Sequence, residues 1–365
     1  MFSLDTWGPP SILYFSSFQS PIKKEQKKKM FNGKITLDHG SGGQASHELV
    51  QQIFLRYFDN EFLSKMDDSA VLPLINSSLA MTTDSYVVDP IFFPGGDIGS
   101  LAVHGTVNDL CMQGAIPLYI TAGLILEEGF PLHDLEKIAR SMGQSAQQAG
   151  VKIVAGDTKV VPRGHADKIF INTSGIGLIP EGRDVGAHNA RPGDLILING
   201  PIADHGITIL TQREGLNFEG ALVSDSAPLN SIVGQILEAS YDIHVLRDPT
   251  RGGIASALNE IAEQSRVGIE LFEEHIPIKK EVQSACEILG LDPLYIANEG
   301  KAIIFVAPEH ADNLLKLLQK HKHGRRAAVI GKVTEENPGR VLLRTRVGGT
   351  RIVTMLTGEQ LPRIC

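Results

Sequence analysis

Five aspartates stand where an apolar run of the sequence gives way to a loop: Asp67, Asp68, Asp84, Asp109 and Asp157. Carboxylates at the ends of neighbouring elements converge in α/β folds, and several hard oxygen ligands are what Mg²⁺ needs to hold a polyphosphate. A single Asp more often caps a helix or a turn. The recurrence makes a magnesium–nucleotide site as good an interpretation as capping.

Three glycine-rich segments could offer backbone N–H groups to phosphate: HGSGG at 39–43, FPGGD at 93–97 and RDPTRGG at 247–253. The last combines two arginines with Gly252 and Gly253 before a predicted helix, so it could grip phosphate by charge and by backbone. No segment matches G-x-x-x-x-G-K-[ST]. Ordinary glycine turns remain the alternative for all three.

A predicted loop at 155–168 carries Lys159, Arg163 and His165 just after the candidate ligand Asp157. Cations beside a magnesium site suit the stabilisation of a transferred phosphoryl group or proton movement on its acceptor. A solvated basic loop is the alternative interpretation.

Two single residues in the second half could do proton or covalent chemistry. Glu299 lies between two strand-like runs and is a candidate general base, although an exposed loop acid is commoner. Cys365 is a thiol on a segment, 357–365, able to reach about 25 Å at ~3.3 Å per residue. Such a thiol could be a nucleophile that visits two sites, or a residue without a role, and the sequence does not say where the tail rests.

Apolar strand-like runs alternate with amphipathic helical runs from Lys34 onward, which favours an α/β or α+β architecture. The predicted strands are Lys34–Leu37, Val71–Leu74, Leu79–Thr83, Leu118–Leu126, Lys152–Ala155, Ile169–Ile179, Leu195–Asn199, Val267–Leu271, Ala302–Val306, Ala327–Lys332, Arg340–Arg346 and Thr350–Met355. The predicted helices start near Gln44 or span Ile98–Gln113, Leu132–Ala149, Gly206–Arg213, Leu229–Ala239, Gly253–Gln264, Lys280–Leu289 and Glu309–Lys320.

Composition divides the chain into four parts. Residues 1–33 cannot bury enough apolar surface and are predicted to be a disordered extension. The Gly- and Pro-rich stretch from Pro180 to Asp194 separates a first domain, 34–185, from a second, 190–356. Residues 357–365 form a tail without periodicity.

Bulk properties exclude several classes of protein. The 365 residues, 42% hydrophobic and 21% charged, are typical of a globular chain with two domains, and a net charge of −8 makes nucleic acid an improbable partner. No run approaches the ~18 apolar residues of a membrane span. Cys111, Cys286 and Cys365 are too few and too scattered for a disulfide framework, so we expect reduced thiols and a cytoplasmic protein.

Eight motifs in order from Lys34 to Cys365 resemble the hydrogenase-maturation carbamoyl dehydratases, the HypE family. They are HGSGG, MDDSAV, MTTDSYVVDP, VNDLCMQGA, GDTKVV, RDPTRGG, ANEGK and the terminal PRIC. PRIC is the most specific of them. The Asp motifs are shared across a superfamily of ATP-using enzymes, which includes aminoimidazole ribonucleotide synthetase (PurM), selenophosphate synthetase and thiamine monophosphate kinase.

This resemblance implies a two-domain, PurM-like α/β (α+β) fold that pairs into a homodimer through a shared, barrel-like sheet. ATP and Mg²⁺ would lie near the dimer interface. The metal ligands implied are Asp68, Asp84, Asp109 and Asp157. The implied nucleotide contacts are Asp67, Asp68, Asp84, Asn108, Gly156, Arg251, Gly252 and Gly253.

The activity that the resemblance implies begins when a carbamoyltransferase, HypF, loads Cys365 with a carbamoyl group. ATP then acts on the carboxamide oxygen, and loss of water leaves a thiocyanate, the source of cyanide ligands for NiFe-hydrogenase iron. Lys159, His165 and Glu299 are the expected residues for orienting the carboxamide and handling its protons. HypC and HypD are the further partners implied.

Two other functions stay open. A kinase or synthetase of the same superfamily, acting on selenide or thiamine monophosphate, predicts a dispensable tail. Selenophosphate synthetases carry a reactive Cys or selenocysteine in their N-terminal region, whereas Cys111 lies in a predicted helix, which counts against that member. A non-catalytic, ATP-binding assembly scaffold predicts that no modified tail is ever formed.

Overall fold

The computed structural model describes residues 33–36, 39, 48–60, 78–216, 222–239, 242–356, 361 and 363–365. Several predictions lie outside these residues. They concern the N-terminal extension, the start of the helix near Gln44, the strand Val71–Leu74, Asp67, Asp68 and all of HGSGG except His39.

The described residues form strands and helices in alternation. The strands are β1 (Ser78–Tyr86), β2 (Phe92–Phe93), β3 (Gly96–Asp97), β4 (Ile116–Glu127), β5 (Lys152–Val161), β6 (Ile169–Ile179), β7 (Leu195–Ile198), β8 (Ile243–Arg247), β9 (Gly268–Phe272), β10 (Ile303–Val306), β11 (Ala328–Thr334), β12 (Val341–Arg344) and β13 (Thr350–Val353). The helices are α1 (Leu55–Phe58), α2 (Ile98–Met112), α3 (Leu132–Ala149), α4 (Asp204–Arg213), α5 (Asn230–Glu238), α6 (Gly253–Ser265), α7 (Lys280–Leu289) and α8 (Pro308–Lys320).

The first sheet has the strand order β1-β6-β4-β5 and two different faces. Because side chains alternate along a strand, β1 turns Ala80 and Tyr86 inward to buried positions, while Leu79 and Met81 point outward and are exposed. The inner face packs against α2, which is buried along nearly its whole length because α3 and parts of the second half of the chain also pack on it. The outer face keeps large apolar side chains exposed.

The second sheet has the order β13-β12-β9-β11-β7-β10-β8, and its pairs are antiparallel except for β12 with β9. Its central strands β7 and β10 are short apolar runs that are almost completely buried. Helix α6 packs against β9 and β12, and α8 packs against β7 and β11. A continuous apolar core fills the space between these layers.

Most of the predicted elements from Leu79 onward are confirmed, with ends that differ by at most three residues. Strand β5 is the exception, since it continues to Val161. The prediction of a loop at 155–168 was therefore wrong for Asp157 and Lys159, which lie on a strand. Strand β8 was missed, and FPGGD is a β2–β3 hairpin in which the Asp97 side chain caps α2 by accepting from Gly99 and Ser100 amides.

No helix in the described residues is both long enough and apolar enough to cross a membrane.

The crossing of α2 over α3 depends on Gly99, where an added Cβ would lie 2.6 Å from the Ile138 carbonyl oxygen and 2.8 Å from Cγ of Met142. We expect Gly99→Ala to lower the free energy of unfolding by about 1–3 kcal/mol in urea titrations, because over-packing forces the helices apart. Gly234→Ala in α5 is the control, since its Cβ meets nothing within 4 Å. That substitution should raise stability by about 0.5–1 kcal/mol. Equal stability of both variants would contradict the close crossing.

Candidate functional site

A cleft of ≈ 470 Å³ lies where the first sheet meets the second half of the chain. Strand β1, the end of α2 and the loop after β8 supply its walls, which are mostly polar. The charged side chains that line it are Asp84, Asp109, Arg247 and Asp248. The cleft thus gathers two of the predicted aspartates with part of the RDPTRGG segment.

Asp84 points from β1 toward α2. Its Oδ2 accepts a hydrogen bond from Oγ1 of Thr106 at 3.1 Å, and Thr106 is in turn hydrogen-bonded to Thr173 of β6 at 2.6 Å. Burial and the nearby Asp109 carboxylate raise the pKa of Asp84 to about 6, although Arg251 and Thr106 oppose this. Asp84 is therefore an acid whose charge is costly until a cation is near.

Asp109 and Asp248 form a second acidic pair beside Asp84. Oδ2 of Asp109 accepts from Oγ1 of Thr82 at 2.8 Å, and the Asp109 and Asp248 carboxyl groups hydrogen-bond each other. Burial raises the pKa of both groups, and the negative charge of Asp109 adds to the rise at Asp248. Arg247 partly offsets the repulsion. This pair therefore shares protons readily or binds a cation.

The end of the chain pairs with the segment that follows β1. The Val87 amide donates to the main-chain oxygen of Cys365 at 3.0 Å, and the Asp89 amide donates to the Arg363 carbonyl at 3.2 Å. The Arg363 side chain returns a bond from Nε to the Val87 carbonyl at 2.9 Å. This pairing fixes the register of the tail, so the last residue has a defined position.

Two side chains of α4 hold the tail from its other side. Nε2 of His205 lies 2.9 Å from the Ile364 carbonyl, so that nitrogen donates and Nδ1 accepts from Oγ of Ser224 at 2.8 Å. Burial lowers the pKa of His205, which keeps the ring neutral as this tautomer requires. Nη2 of Arg213 donates to the Arg363 carbonyl at 2.7 Å. The described part of the tail thus lies inside the site.

The Cys365 thiol lies among charged groups. Burial raises its pKa to about 12, and the Glu299 carboxylate adds to this rise. The Arg251 guanidinium hydrogen-bonds the sulfur and opposes the shift, while Asp84 increases it. A thiol in this position is protonated and a poor nucleophile, so the site suits a sulfur that already carries a group better than one that must attack.

Glu299 is buried, unlike the exposed loop acid that its surroundings in the sequence suggest. Burial raises its pKa well above the ordinary value, and the charges of Asp248, Asp225, Asp109 and Asp84 raise it further. Its Oε1 is inaccessible to solvent and has no hydrogen-bond partner among the described residues. A buried polar atom normally has a hydrogen-bond partner. The capacity of this oxygen to accept a proton or a hydrogen bond is therefore available to a bound group.

Three predicted residues lie elsewhere in the single chain. Asp157 and Lys159 are on the outer face of β5, where their side chains are 70% and 67% exposed and lie 3.6 Å apart. The strand register places Asp157 of β5 and Ser85 of β1 in the same row of the outer face. Three strand spacings separate the two residues, which is roughly 14 Å at ~4.8 Å per spacing. Asp84 faces the opposite way. His165, in the loop after β5, is exposed.

The remaining predicted nucleotide contacts have structural roles that the geometry makes plain. Asn108 is buried, with Nδ2 donating to the carbonyls of Ala227 and Glu299 and Oδ1 accepting from the Leu229 amide. Asn108 therefore joins the two halves of the chain. A contact between its side chain and a nucleotide stays a prediction, and these hydrogen bonds do not favour it. Gly156 lies on the inner row of β5, where a Cβ would meet the Ala122 carbonyl oxygen at 2.7 Å.

The glycine pair of RDPTRGG makes a tight turn into α6. Gly252 and Gly253 both have positive φ angles, 76° and 60°, which favour glycine. A Cβ on Gly253 would lie 2.4 Å from the Leu294 carbonyl oxygen. The turn therefore carries Arg251 to the tail while α6 packs closely behind it.

The donor set of the cleft fits Mg²⁺. Within the described residues no group of three or more His, Cys, Asp and Glu side chains is arranged to hold a metal. Mg²⁺ commonly takes only one or two carboxylates together with substrate phosphates. Asp84 and Asp109 would supply those two, and a cation would offset the burial that raises the pKa of both groups and the repulsion by Asp109 that adds to the rise at Asp84.

Sequence reasoning missed four residues of this site: Asp248, Asp225, His205 and Arg213. Asp248 satisfies the criterion applied to the other aspartates, because it follows a strand directly, but that strand, β8, was not predicted. The other three have no local signal. Their roles depend on contacts with residues that are 74 to 159 positions away in the sequence.

Comparisons with known proteins agree with these features. The family model described as AIR synthase related protein, N-terminal domain, matches residues 66–179, and the corresponding C-terminal domain model matches 191–344. A carbamoyl dehydratase HypE of Rhizobium leguminosarum bv. viciae is 53% identical over 342 residues, which cover 93% of this chain and 98% of that protein.

Two solved structures are similar throughout. A hydrogenase maturation protein HypE in complex with ATP has a TM-score of 0.88 and 54% identity, covering 90% of this chain and 99% of its own. A HypE–HypF complex has a TM-score of 0.75 and 49% identity, covering 84% of this chain and 99% of that chain. The resemblance inferred from the motifs and the PurM-like fold is therefore confirmed.

Release of the tail should be measurable through its thiol. Arg213→Ala removes the bonds to the Arg363 and Asp89 carbonyls, each 2.7 Å long. The bond to Arg363, the one of the two that reaches the tail, has a charged donor and contributes about 1.5 kcal/mol, so the exposed state of Cys365 should be populated about tenfold more. We expect labelling by a maleimide to be about tenfold faster, since Cys111 and Cys286 are buried and react slowly.

Arg351→Ala is the matched control, because it removes a surface ion pair with Asp292 without touching the tail. Its labelling rate should equal that of the wild type. Equal rates for Arg213→Ala and wild type would contradict the anchoring role of Arg213.

Proposed function

The chain belongs to the HypE family of carbamoyl dehydratases, and on that premise we propose that it dehydrates a carbamoyl group on its own Cys365 to a thiocyanate with ATP. One observation carries the proposal. The tail is anchored so that the Cys365 sulfur meets Arg251 and the buried Glu299 at the acidic cleft. A substrate bonded to that sulfur enters the site with the tail and needs no separate binding pocket.

In the overall reaction, the carboxamide oxygen is transferred from carbon to phosphorus. The γ-phosphoryl group of ATP bonds to the carboxamide oxygen and ADP leaves. The nitrogen then loses its two protons while the C–O bond breaks, so the oxygen departs as part of phosphate and a C≡N bond remains on sulfur. Phosphate is a far better leaving group than hydroxide, which is why the dehydration consumes ATP.

Glu299 is the proposed acceptor of a proton from the carboxamide nitrogen. A carboxylate whose pKa is raised by burial binds a proton more tightly than an ordinary one, and Oε1 of Glu299 has its hydrogen-bonding capacity unused among the described residues. Arg251, which touches the sulfur and lies near Asp84, is suited to orient the carboxamide oxygen. Lys159 and His165 are proposed to act from a second subunit.

Mg²⁺ would neutralise the polyphosphate and orient its γ-phosphoryl group. Asp84 and Asp109 are the proposed ligands in the cleft, with Asp248 beside them and Asp68 as a further candidate. Asp157 remains a candidate only if a second copy of the chain brings it to this cleft.

A homodimer is proposed to form through the outer face of the first sheet. The exposed apolar side chains there are Leu79, Met81, Ile116 and Ile125. An apolar patch of this kind marks an interaction surface. In such a dimer Asp157 and Lys159 lie at the interface, which explains why two residues of the GDTKVV motif are exposed in a single chain.

The proposed partners follow from the relatives. A related HypE forms a complex with HypF, and HypF is proposed to load the carbamoyl group here. Because Cys365 is half-buried and its tail is held by main-chain hydrogen bonds, the tail is proposed to leave the site for loading and to return afterwards. HypC and HypD are proposed to receive the thiocyanate.

Mass spectrometry of the C-terminal peptide tests the chemistry directly. With HypF, carbamoyl phosphate and ATP, we expect Cys365 first to gain a carbamoyl group and then to lose one water in an ATP-dependent step. Glu299→Gln should load normally and lose water at least about 100-fold more slowly, because it removes the base.

The matched control for this experiment is Glu274→Gln, an exposed acid outside the cleft, whose rate should not change. Loading without any loss of water in the wild type would refute the dehydratase and leave the scaffold alternative. A full rate of water loss in Glu299→Gln would refute only the role of Glu299.

A charged substitution at the proposed interface tests whether the dimer forms there. Met81 lies on the outer face of edge strand β1 and is 74% exposed. Met81→Glu should convert dimer to monomer in sedimentation velocity, since a buried unpaired charge is costly. Val347→Glu, at a position 95% exposed in a loop of the second half, should leave the dimer intact. A wild-type protein that sediments as a monomer contradicts this proposal.

A further inference from the structure

Asp225 binds the main chain at the residue proposed as the base. Its Oδ1 accepts from the Glu299 amide and its Oδ2 from the Gly300 amide, each at 3.2 Å. One carboxylate thus spans two consecutive N–H groups, an arrangement that fixes the orientation of the peptide as well as its position. The Asp225 side chain itself makes no contact with Cys365 in the described hydrogen bonds.

Lys301 holds this carboxylate in place. Its Nζ lies 2.9 Å from Oδ2 of Asp225, and the two side chains are only 9% and 3% exposed. Burial alone would raise the pKa of Asp225, but the charge of Lys301 keeps it below the ordinary value. An ionised and paired group is therefore maintained in the interior, where a single charge would be costly.

The rest of the segment is equally constrained. A Cβ on Gly300 would lie 1.9 Å from the Asp225 carbonyl oxygen, so only glycine allows this approach. Asn298 donates from Nδ2 to the Pro249 carbonyl at 2.9 Å, which joins the segment to the loop that carries Asp248. The main chain from which the Glu299 side chain extends is therefore held by several contacts.

We propose that the buried Asp225–Lys301 pair is a positioning device that fixes the Glu299 main chain and so aims its carboxyl group at the substrate carried by Cys365. This inference rests on the proposed role of Glu299. Asp225 acts through Glu299 and is a positioning residue, since it touches the peptide and not the reacting atoms. Loss of the pair should slow proton removal while loading of Cys365 and binding of ATP continue.

The test is a single-turnover measurement of water loss from the full-length, carbamoyl-loaded protein. Asp225→Asn replaces one acceptor oxygen by an NH₂ group that opposes an amide N–H. We expect the rate at saturating ATP to fall about 10- to 100-fold, because a displacement near 1 Å has this effect on a reacting group. The ATP concentration for half-maximal rate should change less than about twofold.

A double-mutant comparison separates positioning from a general structural role. In a Glu299→Gln background the base is already missing, so adding Asp225→Asn should slow the reaction no further. An equal slowing in both backgrounds would mean that Asp225 does not act through Glu299 and would overturn the inference. A wild-type rate for Asp225→Asn would overturn it as well.

Two further variants control for folding. Asp194→Asn removes a carboxylate that is also buried and paired, with His244 at 2.8 Å, but lies away from residues 299–300; its rate should stay within about twofold of wild type. Lys301→Met keeps both bonds from Asp225 to the peptide and removes the ion pair, together with the 3.4 Å bond from Nζ to the Gly300 carbonyl. If Asp225→Asn does not fold, a full rate in Lys301→Met overturns the role of the pair, and a reduced one supports it.

The outcomes distinguish this inference from the function on which it rests. Glu299→Gln at full rate refutes the proposed base and the positioning device together. Glu299→Gln at a reduced rate with Asp225→Asn at full rate refutes the positioning device alone.

Discussion

Hydrogen bonds to the main chain of the last three residues determine where the Cys365 sulfur lies. The Val87 and Asp89 amides pair with the tail on one side, and His205 and Arg213 bind its carbonyls on the other. Most of these contacts are to backbone atoms, so they set a position without depending on which group the sulfur carries. A carrier that must be accepted both loaded and converted needs this kind of recognition.

The site is completed only where the two halves of the chain meet. Asp84 and Asp109 come from the first sheet and its helix α2, whereas Arg251 and Glu299 come from loops of the second half. Asn108 joins the halves by donating to the carbonyls of Ala227 and Glu299. Rigid packing of α2 therefore controls the spacing between the acidic cleft and the groups that surround the sulfur.

The sequence predicted most strands and helices from Leu79 onward, because their apolar periodicities are regular, and its motifs identified the family. It also indicated that Asp84 and Asp109 converge. It did not predict that Asp157 faces away from them. Asp157 was assigned to a loop, whereas it lies on strand β5, whose alternate side chains point to opposite faces of the sheet. The role of Asp225 could not be predicted from the sequence, because its partner Lys301 is distant in the chain and neither residue lies in a helix or strand.

The acidic cleft also has a consequence for the stability of the fold. Burial raises the pKa values of Asp84, Asp109, Asp248 and Glu299, and repulsion by neighbouring carboxylates adds to the rise at Asp84, Asp248 and Glu299. Such clusters destabilise a protein for the sake of its chemistry. Amides at these positions would remove the buried charges but also the chemistry, so four acids in one place exchange durability for catalysis.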